Sequence, residues 1–170
     1  MEKGGISRRL IRVASALVGS FTGGLALVTI TASMFFAAIS GSGPATVAAI
    51  GCLMIPAMVR QGYSLPFASA TQASAGYIGV IIPPSIPMIT YGVVTNTSIG
   101  QLFMGGFLPG ICICLTLIIL AVVVSRRSGH QGTATIEKRG LWKGSQDAFL
   151  ARLMPIIILG GIYGGFITPD

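Results

Sequence analysis

Acid is almost missing from this chain. Its 170 residues hold four carboxylates, Glu2, Glu137, Asp147 and Asp170, against 11 Lys+Arg, and none of the four lies within an apolar segment. No acid pair stands at membrane depth in these segments, which disfavours a carboxylate proton relay and an intramembrane protease. Histidine occurs once, His130, in a polar stretch. No HExxH, GxSxG or Walker pattern appears, so the chain does not itself hydrolyse ATP. The three cysteines, Cys52, Cys112 and Cys114, sit in apolar segments with no second ligand cluster. They read as small buried hydrophobes, not as disulfide or metal ligands. Charge as a whole is scarce, at 9% of residues, where soluble domains carry about 25%.

What is present is apolar: 52% hydrophobic residues and a mean hydropathy of +0.84. The chain reads as an all-α integral membrane protein. Its net charge of +7 comes mainly from residues between apolar segments. That placement suits cytoplasmic loops facing anionic lipid, and it argues against nucleic-acid binding, which needs a folded basic surface.

Residues 1–23 carry Arg8, Arg9 and Arg12 in an amphipathic pattern, with Leu10, Ile11, Val13, Ala14, Leu17 and Val18 on one face. This is not a cleavable signal pattern. It reads as an interfacial helix, or as an ordinary amphipathic connector. Residues 24–60 hold two short apolar runs separated by Ser40-Gly41-Ser42-Gly43-Pro44. Each run falls short of the ~30 Å hydrocarbon core. A re-entrant hairpin fits best, because Arg8, Arg9 and Arg12 precede it and Arg60 follows it. One long kinked helix is the rival reading. Residues 64–95 form a discontinuous transmembrane helix, broken at Pro83-Pro84-Ser85-Ile86-Pro87. Residues 100–125 cross back and stop at Arg126 and Arg127. Residues 126–152 read as a cytoplasmic loop and a second interfacial helix anchored by Trp142, and 153–170 as the start of another transmembrane helix.

The two breaks are the chemically informative features. Lipid offers the backbone no water, so unpaired N–H and C=O groups persist at depth only where they line a cavity or hold an ion. The first break offers the Ser40 and Ser42 hydroxyls and the Gly41 and Gly43 carbonyls. Pro44 suits the first turn of the outgoing helix, whose N–H groups at Ala45 and Thr46 could receive a carboxylate. The second offers Ser74, Gly79 and the carbonyls before the prolines. Pro83 and Pro84 have no N–H to return, which frees carbonyls about one turn earlier, including those of Gly79 and Val80. Ser85 could cap the second half-helix or touch substrate. The bland reading of both breaks is a proline kink satisfied by neighbouring helices.

The segment Ser33-Met34-Phe35-Phe36-Ala37-Ala38-Ile39-Ser40-Gly41-Ser42-Gly43-Pro44-Ala45-Thr46 is similar to the first hairpin of the large permease subunit of TRAP (tripartite ATP-independent periplasmic) transporters. So are Gly51, Ile55-Pro56-Ala57-Met58, Ile81-Ile82-Pro83-Pro84-Ser85-Ile86-Pro87-Met88, Tyr91-Gly92 and Gly105-Gly106-Phe107-Leu108-Pro109-Gly110. The resemblance implies one repeat of an elevator-type, Na⁺-coupled carrier of an organic acid such as a C4-dicarboxylate, in the bacterial inner membrane. It implies a small permease subunit and a periplasmic substrate-binding protein as partners, and no cofactor beyond Na⁺ as coupling ion. It implies a Na⁺ site at Ser40, Gly41, Ser42, Gly79, Ile82 and Pro84, with substrate beside Gly43, Pro44, Thr46 and Ser85. The family carries an inverted repeat with two hairpins. On that pattern this chain holds one repeat, expected to be inactive without the missing second repeat. The alternatives are a non-transporting membrane scaffold and another Na⁺-coupled anion carrier.

Overall fold

The computed structural model describes residues 6–19, 21 and 23–127. The expectations for 128–170 and for the first five residues lie outside them. Among the described residues every regular element is helical: α1 Ile6–Val18, α2 Gly24–Ser40, α3 Gly43–Arg60, α4 Leu65–Ile81, α5 Ile86–Thr95 and α6 Ile99–Arg127. Three stretches among the described residues are long and apolar enough to cross a membrane: Gly43–Arg60, Leu65–Thr95 and Ile99–Arg127.

The core forms around α2. This helix is apolar on every side, which forces it inward. Leu25 to Ala32 are all buried, and α1, α3, α4 and α6 pack around it. Basic α1 turns Leu10, Val13 and Ala14 inward and leaves Arg8 and Arg12 exposed. Leu17, expected on the apolar face, is instead 51% exposed. The large apolar side chains that remain exposed lie mainly on α5 and α6, among them Val93, Val94, Met104, Leu108, Ile119 and Leu120. They suit lipid tails as neighbours.

Small residues set the spacing of the bundle. One face of α4 reads Ala68, Gln72, Ala75, Gly76 and Gly79, all buried. A methyl on Gly76 would stand 2.1 Å from Val47 Cγ2 of α3. On α6, a methyl on Gly106 would meet Met88 Cε at 2.5 Å and the Ile81 carbonyl at 2.8 Å, and one on Gly110 would meet Ile82 Cγ1 at 2.5 Å. Van der Waals contact replaces the hydrophobic effect as the force holding helices together in lipid, so close approach at such residues matters. The expectation of three buried cysteines fails for two: Cys52 and Cys112 are exposed on the outer faces of α3 and α6. Cys114 alone turns inward, against Met34 Sδ at 3.4 Å.

Candidate functional site

The first break takes two residues to reverse the chain. Gly41 adopts the left-handed conformation (φ 62°, ψ 13°) and its N–H returns to the Ala37 carbonyl at 2.9 Å, closing α2. Glycine takes this conformation without a Cβ penalty. Ser42 is extended (φ −129°) and caps α3, its Oγ accepting the Ala45 N–H at 3.4 Å. Proline follows in the first turn, where a missing N–H costs nothing. Ser40 Oγ accepts the Ser42 N–H at 3.2 Å and donates to the Ser42 carbonyl at 3.3 Å.

The second break lies between α4 and α5. Ile82 ends α4, its N–H donating to the Ile78 carbonyl at 2.8 Å. The Pro83–Pro84 peptide bond is cis. Pro83 cannot donate to Gly79, and Pro84 cannot donate to Val80. The Val80 carbonyl is not left free as the sequence implied, because the Ser85 hydroxyl donates to it. Ser85 stands at the N-cap position of α5 but makes no side-chain cap bond; its hydroxyl turns back and donates to the Val80 carbonyl.

The breaks meet. The Ile86 N–H donates to the Gly41 carbonyl at 3.0 Å, joining hairpin tip to broken helix through the backbone. A Cβ on Gly41 would lie 2.7 Å from the Pro84 carbonyl oxygen. Below the tip, α3 and α4 approach at glycines. A Cβ on Gly79 would stand 3.1 Å from Thr46 Oγ1 and 3.2 Å from the Ser42 carbonyl oxygen; one on Gly43 would lie 3.1 Å from the Gly76 carbonyl oxygen.

Ser40, Gly41, Ser42, Gly79 and Pro84 thus gather at one point. Ile82 is adjacent, but its side chain faces Gly110 of α6. Ser74 is exposed on α4 and stands apart from the break. Of the residues expected beside substrate, Gly43, Thr46 and Ser85 are buried and Pro44 is exposed. The expected free N–H groups at Ala45 and Thr46 are taken: Ala45 donates to Ser42 Oγ and Thr46 to the Ser42 carbonyl at 3.0 Å. That carbonyl also accepts Thr46 Oγ1 at 2.8 Å, so three donors crowd it and it is spent as a ligand. The other oxygens at the tip are the hydroxyls of Ser40 and Ser42 and the Gly41 carbonyl, each accepting one N–H and keeping a second lone pair, and the carbonyls of Gly79 and Pro84. No His, Cys, Asp or Glu cluster able to hold a metal occurs among the described residues. Neutral oxygens suit a hard monovalent cation.

The sequence reading missed Gln72. It is fully buried in α4, and its Nε2 donates to Ser33 Oγ of α2 and to the Thr46 carbonyl of α3, each at 3.4 Å. Its signal in the sequence is a lone amide in an apolar membrane run.

The family profile described as "Tripartite ATP-independent periplasmic transporter, DctM component" matches residues 1–170. An isethionate TRAP transporter permease protein of Oleidesulfovibrio alaskensis is 51% identical over 99% of this chain and 27% of its own length. A C4-dicarboxylate TRAP transporter large permease protein of Vibrio cholerae is 45% identical over 99% of this chain and 37% of its own. A sialic acid TRAP transporter large permease protein of the same organism is 39% identical, over 99% and 40%. The chain therefore spans well under half the length of these relatives, all of them permeases and none an enzyme.

Proposed function

Because this chain belongs to the DctM-component family of tripartite ATP-independent periplasmic transporters and is an integral inner-membrane protein, we propose that it forms the Na⁺-coupled core of a permease for an organic acid. The relatives named above carry isethionate, C4-dicarboxylate and sialic acid in their names. Their common chemistry is a small organic anion, and a C4-dicarboxylate is the first substrate to test. The ion site comprises Ser40, Gly41, Ser42, Gly79 and Pro84, with Ile82 closing it toward α6. Substrate lies beside Gly43, Pro44, Thr46 and Ser85, and α2–α3 acts as a re-entrant hairpin of an elevator-type repeat. A small permease subunit and a periplasmic substrate-binding protein complete the assembly, together with the second repeat of the permease.

The observation that carries this reading is the Ile86 N–H to Gly41 carbonyl bond at 3.0 Å. It ties the hairpin tip to the interruption of the Leu65–Thr95 span, after the 17 residues of α4, or ~25 Å along that span. Two interrupted elements meeting part-way across the membrane are how secondary transporters expose carbonyls to an ion without lipid contact. A cation there strengthens the local positive potential of the α3 and α5 N-termini, which favours an anionic substrate binding alongside it.

The test is uptake of labelled organic acids into proteoliposomes that hold the permease, its small subunit and its binding protein. An inward Na⁺ gradient drives accumulation on this account, and a K⁺ gradient of equal size does not. Equal uptake under both gradients contradicts Na⁺ coupling.

A further inference from the structure

Gln72 is the one long polar side chain on the small-residue face of α4, and it is fully buried. It lies across Gly51 of α3, where an added Cβ would stand 3.0 Å from Gln72 Cγ. Its Nε2 reaches both arms of the hairpin, Ser33 Oγ in α2 and the Thr46 carbonyl in α3. Thr46 in turn donates through Oγ1 to the Ser42 carbonyl at the tip. One amide thus holds three helices in register, one residue removed from the candidate ion site.

Stability alone does not account for a glutamine here. Gln72 Oε1 is buried and has no hydrogen-bond partner. An unsatisfied buried acceptor offsets what the two long Nε2 bonds contribute, and an apolar side chain of similar volume would fill the site without that cost. The amide is therefore explained by where it holds the hairpin, not by how tightly it holds the fold.

We infer that Gln72 is a positioning residue for the coupling ion, clasping α2, α3 and α4 so that the Ser40–Ser42 tip presents its oxygens to Na⁺. The inference rests on the Na⁺-coupled reading above. The assay is the same reconstituted assembly, with uptake measured across a Na⁺ titration and thermal melting measured on the same preparations. Gln72→Met raises the half-saturating Na⁺ concentration by about tenfold, as expected when a buried hydrogen bond that sets a geometry is removed. Its melting temperature stays equal to or above that of the wild type. Ser33→Ala, a smaller change that removes one of the two acceptors, raises half-saturation by about threefold. The double variant shifts no further than Gln72→Met alone, because both act through one clasp.

Gln72→Met or Ser33→Ala with wild-type half-saturation overturns the inference, as does a lowered melting temperature with an unchanged Na⁺ response. Additive shifts in the double variant also overturn it. If the Met variant fails to assemble, the Ser33→Ala shift decides alone. Wild-type uptake indifferent to Na⁺ brings down the coupled reading and this inference together. A Na⁺-dependent wild type with Na⁺-normal variants brings down this inference only.

Discussion

At the scale of the residue, glycines and serines decide the geometry of the two breaks. Gly41 carries a left-handed backbone and sits against the Pro84 carbonyl. Alanine there meets both a conformational cost of ~1–2 kcal/mol and a carbonyl 2.7 Å away. Gly41→Ala should lower the melting temperature and weaken the Na⁺ response together, measured by melting with and without NaCl. Gly76→Ala meets Val47 Cγ2 at 2.1 Å, and valine has little freedom to turn away. A loss of ~1–3 kcal/mol follows from such overpacking. Val47→Ala should restore most of it, a rescue that denaturation of the single and double variants reads directly. The Ser-Gly-Ser-Gly-Pro turn was legible in the sequence because its signals are local: a glycine for the reversal, a serine to cap, a proline for the first turn. The commitments of Ser85 to Val80 and of Thr46 to Ser42 were not, since they depend on where a hydroxyl lands once the chain has folded. Gln72 stayed hidden because one amide in an apolar run changes no periodicity.

At the scale of the element, the helices begin and end close to where the apolar runs do. Proline and glycine stop helices for reasons intrinsic to their backbones, and lipid-facing segments must be helical in any case. Which face of each helix turns inward was far less legible. In a membrane both faces are apolar, so hydrophobic periodicity carries little information. The sequence accordingly placed Cys52 and Cys112 inside, and both are exposed. Small residues carry that information instead. On α6, a Cβ on Gly106 would meet Met88 and the Ile81 carbonyl, whereas one on Gly105 finds nothing within 4 Å. Two adjacent glycines therefore differ in kind. Gly106→Ala should push α6 off the α4–α5 break and depress both stability and uptake. Gly105→Ala should be neutral or stabilising by ~0.5–1 kcal/mol, the ordinary gain of alanine over glycine in a helix. Parallel melting and uptake measurements on the two variants check the contrast.

At the scale of the whole molecule, α2 sits at the centre of the described bundle and the hairpin tip meets the broken helix at its interruption. The tip is held from the front by Ile86 and from behind by Gln72 through Thr46. The described residues carry no Asp or Glu, so a cation bound among them meets no carboxylate and is held by neutral oxygens. That the chain belongs to a family of membrane permeases, and that its described residues are helical, was legible from composition and from two motifs. That its two breaks come together was implied by the family resemblance, which put Ser40, Gly41 and Ser42 in one site with Gly79, Ile82 and Pro84; the bond from the Ile86 N–H to the Gly41 carbonyl was not legible, because contact between segments 45 residues apart leaves no local trace. The most direct measurement of the central claim is saturable binding of radiolabelled Na⁺ to the purified permease, compared among wild type, Gly41→Ala and Gly105→Ala. The account predicts saturable binding in wild type and Gly105→Ala, and its loss or marked weakening in Gly41→Ala. Binding that is absent from the wild type, or unchanged in Gly41→Ala, would contradict it.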